Sequence, residues 1–202
     1  MTTARRAIVL VLLAAGLCLA VILLFAHHGE GPAVATVEKI CGEGKESGCK
    51  EVNTGPFSSV GRIPVAALGV AFYASLGLLI ALGFFAEAST ANLGDYIAFL
   101  LVGLGLLVDL VLLGVQAGLI HHFCSLCLLS YVVNGVLFVL LLGTRKAPRA
   151  PLERGGGSLL LGAWALGSVS ILAGTISGEA ALTLHERIRV PSILGSVPSG
   201  GA

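Results

Sequence analysis

Charge is scarce in this chain. Only 11% of its 202 residues are charged and 56% are hydrophobic, with a mean hydropathy of +0.98. A soluble domain carries about 25% charge and roughly 45–50% apolar residues, so that class is excluded. The net charge is +1, which gives no long-range reason to expect nucleic acid. The apolar stretches also lack the alternation of lipid-facing strands, which argues against a barrel. The haem-attachment pattern CxxCH is missing, because Leu128 follows Cys127.

What the chain has is long apolar runs. Five segments, at about 7–26, 64–86, 96–120, 123–142 and 158–177, approach the roughly 20 residues of a helical span. An all-α polytopic membrane protein is the fold class they predict. The first run exceeds the apolar core of a cleavable signal, so it reads as an uncleaved signal anchor. Glycine is abundant, at 28 residues, and Gly69, Gly77, Gly83, Gly103, Gly105 and Gly114 fall inside the runs. Small residues let helix backbones approach closely in lipid, where little hydrophobic force drives association.

Basic residues near a membrane tend to stay cytoplasmic. Arg5 and Arg6 place the N-terminus inside, and Arg145, Lys146, Arg149 and Arg154 place the fourth connection inside as well. The connection 87–95 is then inside. The polar segment 27–63 and the turn at His121 and His122 lie outside. The segment 27–63 is glycine-rich and mixed in sign, and it reads as a flexible loop, with a weak strand or short helix at 32–40. After the fifth run, 180–190 reads as a short amphipathic surface helix and 191–202 as a tail.

Two cysteine pairs sit at these boundaries. Cys41 and Cys49 lie in the outer polar segment, and Cys124-Ser125-Leu126-Cys127 opens the fourth run. Both pairs would face an oxidising compartment, where disulfides persist. Placing Cys124 and Cys127 in the first turn of a helix favours a thiolate at Cys124, through the N-terminal N–H groups and dipole. Cys127 at i+3 is close enough to bridge to it. A relay follows: a thioredoxin-like partner reduces a Cys41–Cys49 bridge, a loop thiolate attacks Cys124–Cys127, and the released dithiol reduces a quinone.

Other readings stay open. Both pairs could be structural disulfides in a membrane scaffold, and His121, His122, Cys124 and Cys127 could bind a metal. Cys18, within the first run, reads as a small buried apolar residue. His121 and His122 could support a thiolate or relay a proton, or simply solvate the helix boundary. Tyr131, one turn beyond Cys127, could donate to a quinone oxygen or anchor the interface. Asn134 reads as a helix–helix contact, and Gln116 could border the pocket. Asp109 lies midway along the third run, which reads as too deep for an outer pocket, in a packing role or a proton path.

The ordered elements resemble the vitamin K epoxide reductase family, as a bacterial member. They are the first helix, the loop with Cys41 and Cys49-Lys50-Glu51-Val52, then Phe57-Ser58-Ser59. Gly61-Arg62-Ile63-Pro64 leads into the second helix, and Cys124-Ser125-Leu126-Cys127 with Tyr131 follows. The resemblance implies a four-helix catalytic bundle over 1–143 that surrounds a quinone and carries its extracytoplasmic loop at 27–63. A cytoplasmic linker at 144–157, a fifth transmembrane helix at 158–177 and an extracytoplasmic tail or linker at 178–202 complete the organisation.

The implied activity is thiol:quinone oxidoreduction supporting disulfide-bond formation. Cys41 and Cys49 are the implied shuttle, and Cys127 the contact with quinone. Tyr131, Ser58, Ser59 and His122 are candidates for quinone binding, and no metal is expected. Ubiquinone or menaquinone is the implied acceptor in a bacterial inner membrane, with both cysteine pairs periplasmic. The implied partner is a periplasmic thioredoxin-like oxidoreductase, either separate or fused beyond this chain.

Overall fold

The structure, a computed structural model, describes residues 1–29, 31–41, 48–61, 63–144 and 156–194. Its elements run α1 (Thr3–His27), α2 (Gly31–Cys41), α3 (Gly48–Thr54), then the short hairpin β1 (Ser59–Val60) and β2 (Ile63–Pro64). Next come α4 (Val65–Leu82), α5 (Ala88–Val115), α6 (Ser125–Leu141) and α7 (Gly156–Leu194). Five helical stretches are long and apolar enough to cross a membrane: Thr3–His27, Val65–Leu82, Thr90–Ile120, Ser125–Thr144 and Leu160–Gly178. The protein is an all-α polytopic membrane protein.

The bundle forms where small and large residues meet. On α1 the buried stripe is Val9, Leu13, Gly16, Ala20 and Leu23, the three-to-four spacing of one helical face. It packs against Tyr73, Leu76 and Ile80 of α4 and Leu137 of α6. A β-carbon at Gly16 would overlap the Tyr73 ring, and one at Gly105 would stand 2.9 Å from Phe72 Cζ. Those two glycines therefore set helix separation, as small residues do in lipid. Gly77 and Gly114 meet nothing within 4 Å, so composition alone did not distinguish them. Cys18 corrects its expectation: it lies off the buried stripe and is exposed.

The end of the bundle carrying the N-terminus is tied by buried charge. Arg6 Nη2 lies 2.9 Å from Asp95 Oδ2, and its Nη1 donates to the Gly83 carbonyl at 2.8 Å. Asp95 is 1% exposed, on α5 rather than in the expected connection at 87–95. Neutralisation by Arg6, and by the Met1 amino group 3.0 Å from the same oxygen, is the physical reason a carboxylate fits inside the helix there. Thr144 Oγ1 donates to the Asp95 carbonyl at 3.2 Å, which adds the end of α6 to the same knot.

Two further expectations change. The segment 27–63 is not simply a flexible loop, since α2, α3 and the hairpin occupy much of it. Its helices are held by packing on α1 and α6 that its own composition did not reveal. The fifth span continues without a break to Leu194, through the expected tail boundary at 178 and through Pro191. Residues 179–190 contain no glycine or proline to stop the helix. This helix is tied to α4: Trp164 Nε1 donates to the Ser75 carbonyl at 3.0 Å, and the Ser75 and Ser168 hydroxyls are 2.6 Å apart. Arg62, most of the linker 144–157 with its basic residues, and 195–202 lie outside the described residues.

Candidate functional site

The cysteine pairs meet at the opposite end of the bundle from Asp95. There α5 widens into a π-helical turn, Gln116–Ile120, and stops at His121, whose φ of 59° is left-handed. That turn swings the chain back so that Cys124 caps α6. Cys124 Sγ accepts from the Cys127 backbone N–H at 3.2 Å. Cys124 therefore precedes the first turn instead of lying in it. The hydrogen bond from the Cys127 thiol holds the Cys124 thiol below the ordinary thiol range; burial opposes this, and the backbone N–H groups of Cys127 and Leu126 reinforce it.

Cys41 and Cys49 form a disulfide that joins the last residue of α2 to the first turn of α3. Cys124 and Cys127 are free thiols. Cys49 is 1% exposed and Cys124 0%, and both belong to one buried cluster with Leu23, Val37 and Leu126. Cys41 and Cys127 are partly buried at its edge. The residue before each inner cysteine explains the approach: a β-carbon at Gly48 would lie 2.5 Å from the Phe123 carbonyl oxygen. Only glycine lets α3 seat this closely on the strand of chain that leads into Cys124.

Beside Cys127 is a cavity of about 420 Å³ walled by α1, α4, α5 and α6. Val52, Asn53, Phe57 and Ser58 form its cover. The cover is fixed to α1, where Asn53 Nδ2 donates to the Leu23 carbonyl at 2.9 Å and His27 Nδ1 bonds the Asn53 carbonyl. The walls are mainly apolar, with polar groups at two depths. Near the cysteines, Gln116 Nε2 donates to the Tyr131 phenol oxygen at 2.8 Å, and Gln116 Oε1 accepts from the Cys124 N–H at 3.0 Å. Deeper, Tyr73 donates to Asn134 Oδ1 at 3.0 Å, and Asn134 Nδ2 donates to Asp109 Oδ2 at 2.8 Å.

Of the residues singled out in the sequence, Cys127, Ser58 and Tyr131 line this cavity. Ser59 sits in β1 and His122 in the turn after the π-helix, and neither lines it. Asp109 corrects its expectation, because it does reach the cavity wall. Its depth along α5 is matched by the depth of the cavity. Asn134 also faces the cavity, where it joins Tyr73 to Asp109. Tyr73 was missed, its one signal being a lone phenol in an otherwise apolar run. Among the described residues no group of three or more His, Cys, Asp or Glu could hold a metal, so His121, His122, Cys124 and Cys127 do not form one.

Two cysteine pairs, one bridged and one reduced, packed together at one end of a helical membrane bundle define a membrane thiol oxidoreductase. The chain belongs to the vitamin K epoxide reductase family, whose model matches residues 7–142. The match covers α1 to the end of α6 and leaves α7 outside. Among curated proteins and among solved structures, the comparisons gave no match. Membership and the paired cysteines together make this an enzyme working through a thiol redox relay.

Proposed function

We propose that the protein oxidises a thioredoxin-like dithiol partner and passes the two electrons to a membrane quinone, so supporting disulfide-bond formation. The observation that carries this reading is the burial of Cys49 and Cys124 in one cluster, with Cys41 on its outer edge and Cys127 on the cavity. A partner thiolate attacks Cys41 Sγ and expels the Cys49 thiolate. Cys49 then attacks Cys124 of a Cys124–Cys127 bridge and expels the Cys127 thiolate. The partner's second thiol resolves the mixed disulfide, and the freed Cys41 attacks Cys49 to restore its bridge. This leaves Cys124 and Cys127 as a dithiol, the redox pattern of the structure.

Quinone is the second substrate; it takes two electrons from that dithiol and gains two protons in becoming quinol. The residues present suit it: apolar walls for a ring, and polar groups at two depths for its two oxygens. Because Gln116 donates to the Tyr131 oxygen, the phenol hydrogen is free to point into the cavity. Ubiquinone and menaquinone both meet this description. Ser58 on the cover is a further contact, while Ser59 and His122 would bind only after movement of the cover or turn. The bilayer orientation that fits puts Arg5 and Arg6 in the cytoplasm and both cysteine pairs in the periplasm of a bacterial inner membrane. In this reading 1–143 is the catalytic unit, and a partner domain is either separate or attached after the fifth span.

The test is quinone reduction by purified protein with a reduced thioredoxin-like protein, beside Cys49→Ala and Cys127→Ala variants. Turnover that needs both pairs is the expected result. Absence of turnover from folded wild-type protein with ubiquinone and menaquinone analogues would overturn the reading.

A further inference from the structure

We propose that Asp109 is the acid that protonates the quinone oxygen remote from Cys127. The inference rests on the quinone reading above and adds a catalytic residue to it. Cys127, Tyr131 and Asn134 descend one face of α6 at i, i+4 and i+7, so Asn134 lies about 10 Å deeper than Cys127 along the axis. A thiol proton released at Cys127 has a short route to the nearer quinone oxygen and none to the farther one. Asp109 stands at the level of Asn134 and lines the same cavity.

The hydrogen bonds orient this carboxyl. Tyr73 occupies Asn134 Oδ1, which fixes the amide so that Nδ2 faces Asp109 Oδ2. No buried side-chain oxygen or nitrogen among the described residues lacks a partner, so Asp109 Oδ1, which has no such bond, is accessible, on a residue that lines the cavity. Among the described residues no cation lies within ion-pair distance of Asp109. An unpaired carboxylate at this depth in a membrane is costly, and a packing role alone gives no reason for a carboxyl there. With Oδ2 as acceptor, Oδ1 carries the proton towards the cavity.

The step balances. Formation of the bond between the Cys124 thiolate and the Cys127 thiol releases two electrons and one proton, the Cys124 proton having already left to solvent, and the quinone needs two of each. The Cys127 proton reaches the nearer oxygen. Asp109 gives its proton to the farther oxygen and recovers one from water after the quinol departs. General acids of this kind contribute roughly 10²–10⁴-fold in rate.

The experiment is single-turnover quinol formation by the full chain, prereduced at Cys124 and Cys127, with Asp109→Asn and Asp109→Glu compared. In parallel, thiol labelling of protein that starts with both pairs bridged reads transfer from a reduced thioredoxin-like partner. The expected result is quinol formation about 10²-fold slower in Asp109→Asn, with transfer from partner to Cys124 and Cys127 unchanged, and much of the rate restored in Asp109→Glu. Wild-type speed in Asp109→Asn would overturn the inference. No quinol from the wild type would remove the quinone reading and this one with it, a result distinguishable from the first.

A second readout needs no variant. The chain has two aspartates, Asp95 and Asp109, and Asp95 is ion-paired with Arg6. Infrared spectra of aspartate-labelled wild-type protein should show one protonated carboxyl band that shifts when a quinone analogue binds. Carboxylate bands alone, or a band indifferent to quinone, would overturn the assignment.

Discussion

Gln116 holds Tyr131 and Cys124 at once, through a 2.8 Å bond to the phenol and a 3.0 Å bond from the backbone N–H. The side chain is 2% exposed, so neither bond is readily replaced by water. Gln116→Leu leaves the buried Cys124 N–H unpaired, at a cost of about 1–3 kcal/mol. The expected outcome is a lower melting temperature in detergent together with weaker quinone binding. Tyr131→Phe keeps the fold and loses only the binding. Equal melting temperatures for wild type and Gln116→Leu would show that the bridge is not structural.

The shared burial of Cys49 and Cys124 predicts which cross-pair disulfide can form. In the Cys41→Ser/Cys127→Ser protein, mild oxidant should trap Cys49–Cys124 within the folded chain. The complementary Cys49→Ser/Cys124→Ser protein should give little Cys41–Cys127, because those two residues only flank the cluster whose buried members are Cys49 and Cys124. Gly48→Val, in the first background, should slow trapping by pushing α3 away from the Phe123 carbonyl. Mass mapping of the trapped species decides the matter, and preferential Cys41–Cys127 formation would contradict the proposed order of exchange.

These relationships mark what a linear reading can reach. The five spans were legible because each is a continuous apolar run, and the cysteines because CxxC at a helix start is a local signal. Helix rotation is not local. Whether Cys18 faces in or out depends on the stripe from Val9 to Leu23, and whether Asp109 reaches the site depends on which side of α5 meets α6. Tyr73 became meaningful only when Gly16 was seen to admit its ring and Asn134 to bind its hydroxyl. Asp95 read as part of a connection, since its partner Arg6 lies far away in sequence. The helices of 27–63 escaped for a similar reason, as packing on α1 and α6 outweighs their glycine content.

Cys124 should show a distinctive titration. Folding lowers its pKa, so between the folded value and the ordinary thiol value of about 8.5 the unfolded chain binds more protons. The stabilisation it gives the reduced protein is therefore complete above that ordinary value and is lost as pH falls through the folded one. Ultraviolet thiolate absorbance of the reduced protein should persist below pH values at which an ordinary thiol is protonated, and should vanish in Cys124→Ser. The melting temperature of reduced wild type, relative to Cys124→Ser, should rise with pH across the same window. An ordinary thiol titration would remove the case for Cys124 as the anionic member of the pair.

Arg6 and Asp95 hold the far end of the bundle, and the asymmetry of buried ion pairs makes that testable. Removing one partner strands the other charge, which typically costs about 3–5 kcal/mol, whereas replacing both with apolar residues can be close to neutral. Asp95→Ala leaves the Arg6 guanidinium with the Gly83 carbonyl as its remaining partner. Arg6→Leu leaves buried Asp95 with the Met1 amino group, at 3.0 Å, as its remaining cation. Each single variant should melt well below wild type in detergent, and Arg6→Leu/Asp95→Leu should recover much of the loss. Because this knot lies at the end opposite the cysteines, the double variant should keep the Cys49–Cys124 trapping behaviour. A double variant no more stable than the worse single one would mean that the loss comes from the Arg6 bond to the Gly83 carbonyl or from stranding the Met1 amino group, 3.0 Å from Asp95 Oδ2, and not from charge compensation between Arg6 and Asp95.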